Sequence, residues 1–350
     1  RTPDPIMTEH AVEVVEQIDA ARFRDEIQPR NEPVLLKGLV RDWPAVQAGR
    51  ASPRTAADYI RRFDRGTPVD TNFGRPEIGG RFFYNERLDG LNFSRKQRTI
   101  SGSMNRMLAA GERDDAPAIY IQSVPIDEHL PGFTADNPMT LAGRGAGARI
   151  WIGNRAIVQA HFDLKENIAC VVAGRRRFTL FPPEQTPNLY PGPFELTLAG
   201  PPVSMVDLSD PDFERHPRFE EALAHRRVVE LEPGDGLYIP YFWWHHVEAL
   251  EDFNVLVNYW WNEADPALGS PFDALLHGLL ALRDLPDSQR DAWRMMFDTY
   301  VFERYGDPLA HLPPQAHGNL GRHDAQSRAE IRRILLASLA HQAGLKPPGA

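Results

Sequence analysis

Glu232-Pro233-Gly234-Asp235-Gly236-Leu237-Tyr238-Ile239-Pro240-Tyr241-Phe242-Trp243-Trp244-His245-His246-Val247 is the stretch on which the fold reading turns. Pro233 and Gly234 sit where a chain reverses, so Glu232 to Gly236 reads as a turn. Leu237 to Pro240 follows as a short strand that Pro240 ends. A second strand opens at Trp244-His245 and runs through Val247 and Ala249. Upstream, the apolar, β-prone run Ile157-Val158-Gln159-Ala160 delivers His161-Phe162-Asp163. Side chains at i and i+2 of a strand share a face, so His161 and Asp163 are placed to reach one metal ion together. A histidine at the start of another strand completes two histidines and one carboxylate on one side of an ion. That set leaves about three of six octahedral positions open, as in non-haem Fe(II) oxygenases.

A lone His-x-Asp among twelve histidines arises readily by chance as a polar strand end, so the weight falls on the second strand. There the ligand is His245 or His246. Alternation from His245 puts Val247 and Ala249 on its face, whereas alternation from His246 puts Glu248 and Leu250 there. The apolar set belongs inside a barrel with the metal, which favours His245. His246 is then expected either to back the site or to face solvent, and His216 and His225, in a polar insert, to lie in a solvated loop.

Several runs in one order carry a resemblance: Glu232-Pro233-Gly234-Asp235, Tyr238-Ile239-Pro240 and Trp243-Trp244-His245-His246-Val247, with Pro33 to Leu39, Asp42-Trp43-Pro44, Tyr120-Ile121-Gln122 and Leu180-Phe181-Pro182-Pro183. From about Pro33 to Asn262 the chain resembles the cupin-like JmjC hydroxylases, and among them the asparaginyl hydroxylases. The resemblance implies a mainly β protein built on a double-stranded β-helix (a jelly-roll or cupin of JmjC type), with flanking N-terminal helices and a C-terminal helical region. It implies Fe(II) on His161, Asp163 and His245, the histidine directly after tryptophan being the family's ligand, and 2-oxoglutarate as co-substrate. Tyr120, Asn167 and Asn258 match positions that hydrogen-bond the co-substrate or its surroundings. Arg176 stands where the family carries a lysine for the distal carboxylate, a departure that a bidentate guanidinium tolerates in a differently shaped pocket. Val158 is a second departure, because the usual Thr or Ser donates a hydrogen bond that Val lacks. Gln122 matches a position near a protein substrate.

The implied reaction is hydroxylation of a C–H bond, of a protein or peptide side chain by family analogy, with release of succinate and CO2. The rivals are a hydroxylase or demethylase of a small molecule or modified nucleoside, and a cupin that binds metal without turnover. A net charge of −9 argues against general nucleic-acid binding. The lack of an apolar run near 18 residues or of a signal-peptide core sets the expectation of neither a membrane span nor export. The single cysteine, Cys170, fits a reducing cytoplasm and packs on the strand face opposite Asn167 and Ala169.

Residues 1–10 read as an N-terminal tail or expression remnant, 11–265 as the catalytic domain with its β-helix core at about 147–262, and 266–350 as a helical region. Val12, Val15, Ile18 and Phe23 suggest a short helix within residues 11–28, and Thr55 to Phe63 another. Asn72 to Arg98, rich in Gly, Asn and aromatics, reads as loop, with a wall of the substrate entrance as the functional alternative. Phe272 to Leu282, the Trp293-Met296-Phe297-Tyr300 stripe and Ile331 to Leu339 read as amphipathic helices around a Gly306 to Arg322 loop. In the resembled hydroxylases such helices form a homodimer, which is the expectation here.

Overall fold

Short β-branched and aromatic runs separated by Gly and Pro turns dominate the chain as far as Asn262, and they pair as strands. The computed structural model describes residues 11–345 except 112, 114, 144 and 199; the expected tail, residues 1–10, lies outside the described residues. The strands are β1 (Glu13–Glu16), β2 (Val34–Lys37), β3 (Val69–Gly74), β4 (Arg81–Phe82), β5 (Phe93–Arg98), β6 (Ala118–Pro125) and β7 (Gly147–Gly153). They continue as β8 (Ile157–His161), β9 (Glu166–Ala173), β10 (Arg176–Phe181), β11 (Arg227–Leu231), β12 (Gly236–Ile239), β13 (Trp244–Ala249) and β14 (Asn254–Trp261). A nine-stranded sheet runs β1-β2-β12-β9-β14-β7-β6-β3-β5 and a five-stranded one β11-β10-β13-β8-β4. All pairs are antiparallel but β1 with β2 and β4 with β8. Mainly β, with sheets curled over a common interior, this is a cupin-type jelly roll.

Strict alternation divides the core. On β9, Ile168, Cys170 and Val172 belong to the outer cluster, beneath helical Val46, Ile60 and Met104, while Ala169 and Val171 face the inner cluster with Tyr120, Trp151 and Leu237. Both faces of β9 are therefore dry, which explains its almost uninterrupted apolar run. Gly174 and Arg175 carry the chain from β9 in one sheet to β10 in the other. Gly174 adopts φ 71°, and a Cβ there would lie 2.3 Å from Asn254 Oδ1, so only glycine turns this corner without strain.

The Pro53–Arg61 helix matches the expectation for Thr55 to Phe63, with Ser52 accepting from the Thr55 N–H as its cap. Two expectations are corrected. Within residues 11–28 the first half is strand β1, which buries Val15 and exposes Val14, and only Ala20–Arg22 and the wide turn Phe23–Ile27 are helical. Asn72 to Arg98 is also more than loop: β3 reaches Gly74 and pairs with both β5 and β6. The insert from Pro182 to Arg226 carries the Phe219–Ala224 helix and passes along β8, where the Ser204 N–H donates to the Ala160 carbonyl at 2.7 Å. Among the described residues no helix is long and apolar enough to cross a membrane.

A second compact unit begins at Glu263. It holds the Pro271–Ala281, Asp287–Tyr300 and Ala325–Gln342 helices, which overlap the expected stretches Phe272 to Leu282, Trp293 to Tyr300 and Ile331 to Leu339.

Candidate metal centre

His161 ends β8 and His245 lies in β13, and the register of those strands sets the two residues directly opposite one another. Their ring centroids are 4.3 Å apart. Asp163 follows β8 by two residues, and its Oδ2 is 3.7 Å from His245 Nε2. One ligand atom from each of the three lies within 4.8 Å of the others, the only such group among the described residues. The Nδ1 atoms face away from the centre. That of His161 meets the Gln159 carbonyl at 2.8 Å and that of His245 the Trp243 carbonyl at 3.0 Å. A ring whose Nδ1–H donates to a backbone carbonyl keeps its Nε2 lone pair for a metal, and the same bond fixes the ring's orientation. Burial, then neighbouring His161, holds the His245 imidazole well below its usual range, in the neutral state a ligand needs. Burial pushes the Asp163 carboxyl upward against the pull of His161 and Lys165. Two imidazoles facing a desolvated carboxylate suit a divalent cation of Fe(II) type.

The loop between β12 and β13 braces this trio. Phe242 adopts φ 69°, a left-handed conformation that costs a bulky residue about 1–3 kcal/mol. In that conformation its N–H donates to the Asp163 carbonyl at 3.0 Å, and its ring stacks on Phe162 with centroids 4.1 Å apart. The strain thereby ties the His161-Phe162-Asp163 segment to the strand carrying His245.

From the trio a cavity of about 40 Å³ runs into the barrel between Trp151, Val158, Phe178 and Leu256 and reaches Arg176. Arg176, the first residue of β10, is 3% exposed; its Nε has no hydrogen-bond partner and no carboxylate pairs with its guanidinium among the described residues. Burial pulls its pKa down, opposed by Tyr120 beside it. The Tyr120 ring is stacked between Phe82 and Trp151, and burial raises its hydroxyl to about 12, so it remains a donor. Asn167 and Asn258 form a relay along the same wall. Trp151 Nε1 donates to Asn258 Oδ1 at 2.8 Å, Asn258 Nδ2 to Asn167 Oδ1 at 3.3 Å, and Asn167 Nδ2 to Asp163 Oδ2 at 3.5 Å.

The structure thus gathers His161, Asp163, His245, Tyr120, Asn167, Arg176, Asn258 and Gln122 around one cavity, with Val158 on its wall. Trp151, Trp260 and Phe178 line it too and were missed by sequence reasoning; the inward alternation of Trp151 with Gly153 and of Trp260 with Asn258 was the available signal. His246 points away from the trio and is buried rather than solvent-facing. Its Nδ1 has no partner, and burial pushes it down to about 4. His216 corrects the solvated-loop expectation: it is buried, with its ring edge-on to Tyr190 at 4.8 Å. His225 is half-buried, at the end of the Phe219–Ala224 helix.

The fold and this donor set define a JmjC-type cupin, a class whose cofactor pair is Fe(II) and 2-oxoglutarate. Residues 20–266 match the cupin-like domain family, and the chain belongs to it. Among its relatives, HSPB1-associated protein 1 of Bos taurus is 30% identical over 249 residues, covering 68% of this chain and 50% of that protein. Lysine-specific demethylase JMJ31 of Arabidopsis thaliana is 26% identical, covering 70% of this chain and 48% of that one. tRNA wybutosine-synthesizing protein 5 of Gallus gallus is 27% identical over 307 residues, covering 77% of this chain and 87% of that protein. The chain spans about half the length of the first two.

Proposed function

We propose that this protein is an Fe(II)- and 2-oxoglutarate-dependent oxygenase that hydroxylates a C–H bond of a protein or peptide side chain, releasing succinate and CO2. The single observation that carries the reading is Arg176: an enclosed guanidinium with no carboxylate paired to it among the described residues, in the same cavity as two imidazoles and the Asp163 carboxylate. An unpaired buried charge costs several kcal/mol, and a dicarboxylate bound between Arg176 and the trio removes that cost. His161, Asp163 and His245 would hold the metal, which when bound supplies dioxygen activation coupled to decarboxylation of the 2-oxo acid. Arg176 and Tyr120 bind the distal carboxylate of the co-substrate. Asn167 and Asn258 orient Asp163, and Trp151, Phe178 and Leu256 exclude water from the cavity. Val158 donates nothing, so Arg176 and Tyr120 carry the carboxylate alone.

The name of the Arabidopsis relative supports a protein side chain as substrate. A modified RNA nucleoside is the second reading, supported by coverage of the chicken protein over 87% of its length. The test is succinate formation from 2-oxoglutarate, followed by a screen of peptides and nucleosides for a mass gain of one oxygen atom. Arg176→Ala should raise the apparent constant for 2-oxoglutarate at least about tenfold, the loss of charge-assisted bonds, and leave metal content unchanged. An unaffected constant would assign the carboxylate to another cation.

A further inference from the structure

The mouth of the cavity carries cations that form no ion pair. Trp260 borders it, and two cations lie close to that ring: Arg149 at 5.7 Å and Lys165 at 5.8 Å from the centroid. Arg149 is held in place by the backbone and hydroxyl oxygens of Ser123. A third cation, Arg95, comes from β5. The register places Arg95 opposite Asn72 and Asn72 opposite Tyr120, so all three share the sheet face that lines the cavity. Arg95 Nε donates to Asn72 Oδ1 at 3.3 Å, and Asn72 Nδ2 donates to Gln122 Oε1 at 3.2 Å, which fixes the amide of Gln122 at the cavity wall.

None of the three cations has a carboxylate within ion-pair distance among the described residues, and Lys165 acts on Asp163 only from farther off. Elsewhere on the same framework Arg81, Arg155, Arg175 and Arg177 are paired with Asp207, Asp252, Glu251 and Glu230. The acids on nearby strands are engaged as well: Asp70 accepts from Gln97 and Glu166 from Tyr238. In a chain of net charge −9, three cations outside any ion pair around one opening are electrostatically complementary to an anionic partner. The co-substrate does not need them, because Arg176 waits for its distal carboxylate inside. A nucleic acid fits the rim less well: Trp260, the aromatic ring there, is already occupied by two cations, and the net negative charge repels a polyphosphate beyond three contacts.

Resting on the oxygenase reading, we infer that Arg95, Arg149 and Lys165 receive the carboxylates of an acidic polypeptide whose target residue enters between them. Substrate selection by this site is then a matter of flanking charge, with acidic side chains on both sides of the oxidised position.

The experiment measures fluorescence anisotropy of three labelled peptides of equal length, alternating Glu–Ala, Ser–Ala and Lys–Ala, and of a single-stranded RNA, on the full chain at low and high salt. The Glu–Ala peptide should bind best, and added salt should weaken it. Lys165→Glu and Arg95→Glu should each lower its affinity about tenfold, whereas Lys165→Arg and Arg95→Lys retain it, which separates charge from disturbed folding or a displaced Gln122. The inference is overturned by equal binding of the Ser–Ala peptide, by affinity indifferent to both reversals, or by tighter binding of the RNA. It is equally overturned if affinity for 2-oxoglutarate falls in step with peptide affinity, which would assign the cations to the co-substrate. Failure of the oxygenase reading has a separate signature: no succinate from the unaltered protein while the acidic-peptide preference persists.

Discussion

Adjacent histidines on one strand point to opposite sides, and here that geometry separates two roles. His245 faces His161 across the β8–β13 pair, whereas His246, one residue on, sits opposite Thr179 on the β10 side with a buried, unpartnered Nδ1. Alanine at His161, Asp163 or His245 should therefore abolish stoichiometric Fe(II) binding, measured by elemental analysis of the reconstituted protein. His246→Ala should keep the metal while costing about 1–3 kcal/mol of stability from the lost packing. Metal retained in His245→Ala but lost in His246→Ala would invert the assignment. This distinction was readable beforehand because strand alternation is local and Val247 continues the inner face. The brace at Phe242 was not readable. Its left-handed backbone and its bond to the Asp163 carbonyl join segments some eighty positions apart, and nothing in Tyr241-Phe242-Trp243 announces a positive φ.

Among elements, the core strands were the easiest to anticipate and the edge strands the hardest. β8 announces itself by its apolar, β-prone run, β12 by a run bounded by Gly236 and Pro240, and β13 by the alternation from His245. β1 does not, because Val12, Val15 and Ile18 at spacing three suit a helix, and it is parallel pairing with the Val34–Lys37 strand that makes Glu13–Glu16 extended. β5, at the sheet edge, and its neighbour β3 are largely polar, so their strand character comes from partners, not from composition. Helix-to-sheet packing brings a constraint of its own at Gly49, in the Pro44–Ala51 helix against β9. A Cβ built there would lie 2.1 Å from the Val172 carbonyl oxygen, a backbone atom that cannot swing aside. Gly49→Ala should thus lower unfolding free energy by about 1–3 kcal/mol or more, despite alanine's better helix propensity. Equilibrium denaturation checks the sign, and a stabilised variant would show that the helix stands farther from the sheet.

At the scale of the whole molecule, the two units differ in what they bury. The unit ending at Asn262 encloses two dry clusters, but among the described residues from Glu263 onward only Leu309 and Ala340 are buried hydrophobics. Its helices leave Leu276, Leu280, Trp293, Met296, Ile334 and Leu335 exposed, Leu280 by 70%. The amphipathic stripes were readable in the sequence, but what covers them was not, since a stripe has the same spacing against its own chain as against another. So much uncovered apolar surface is unusual for an isolated chain and typical of the faces that obligate subunits share. We expect a homodimer through these helices, burying on the order of 2,000 Å² or more with a hydrophobic centre. Glutamate at Leu335 and Leu339 would place uncompensated charge in that centre and should yield monomers, read by light scattering. If the unaltered protein scatters with the mass of one chain at micromolar concentration, this assembly is wrong and the helices serve some other contact.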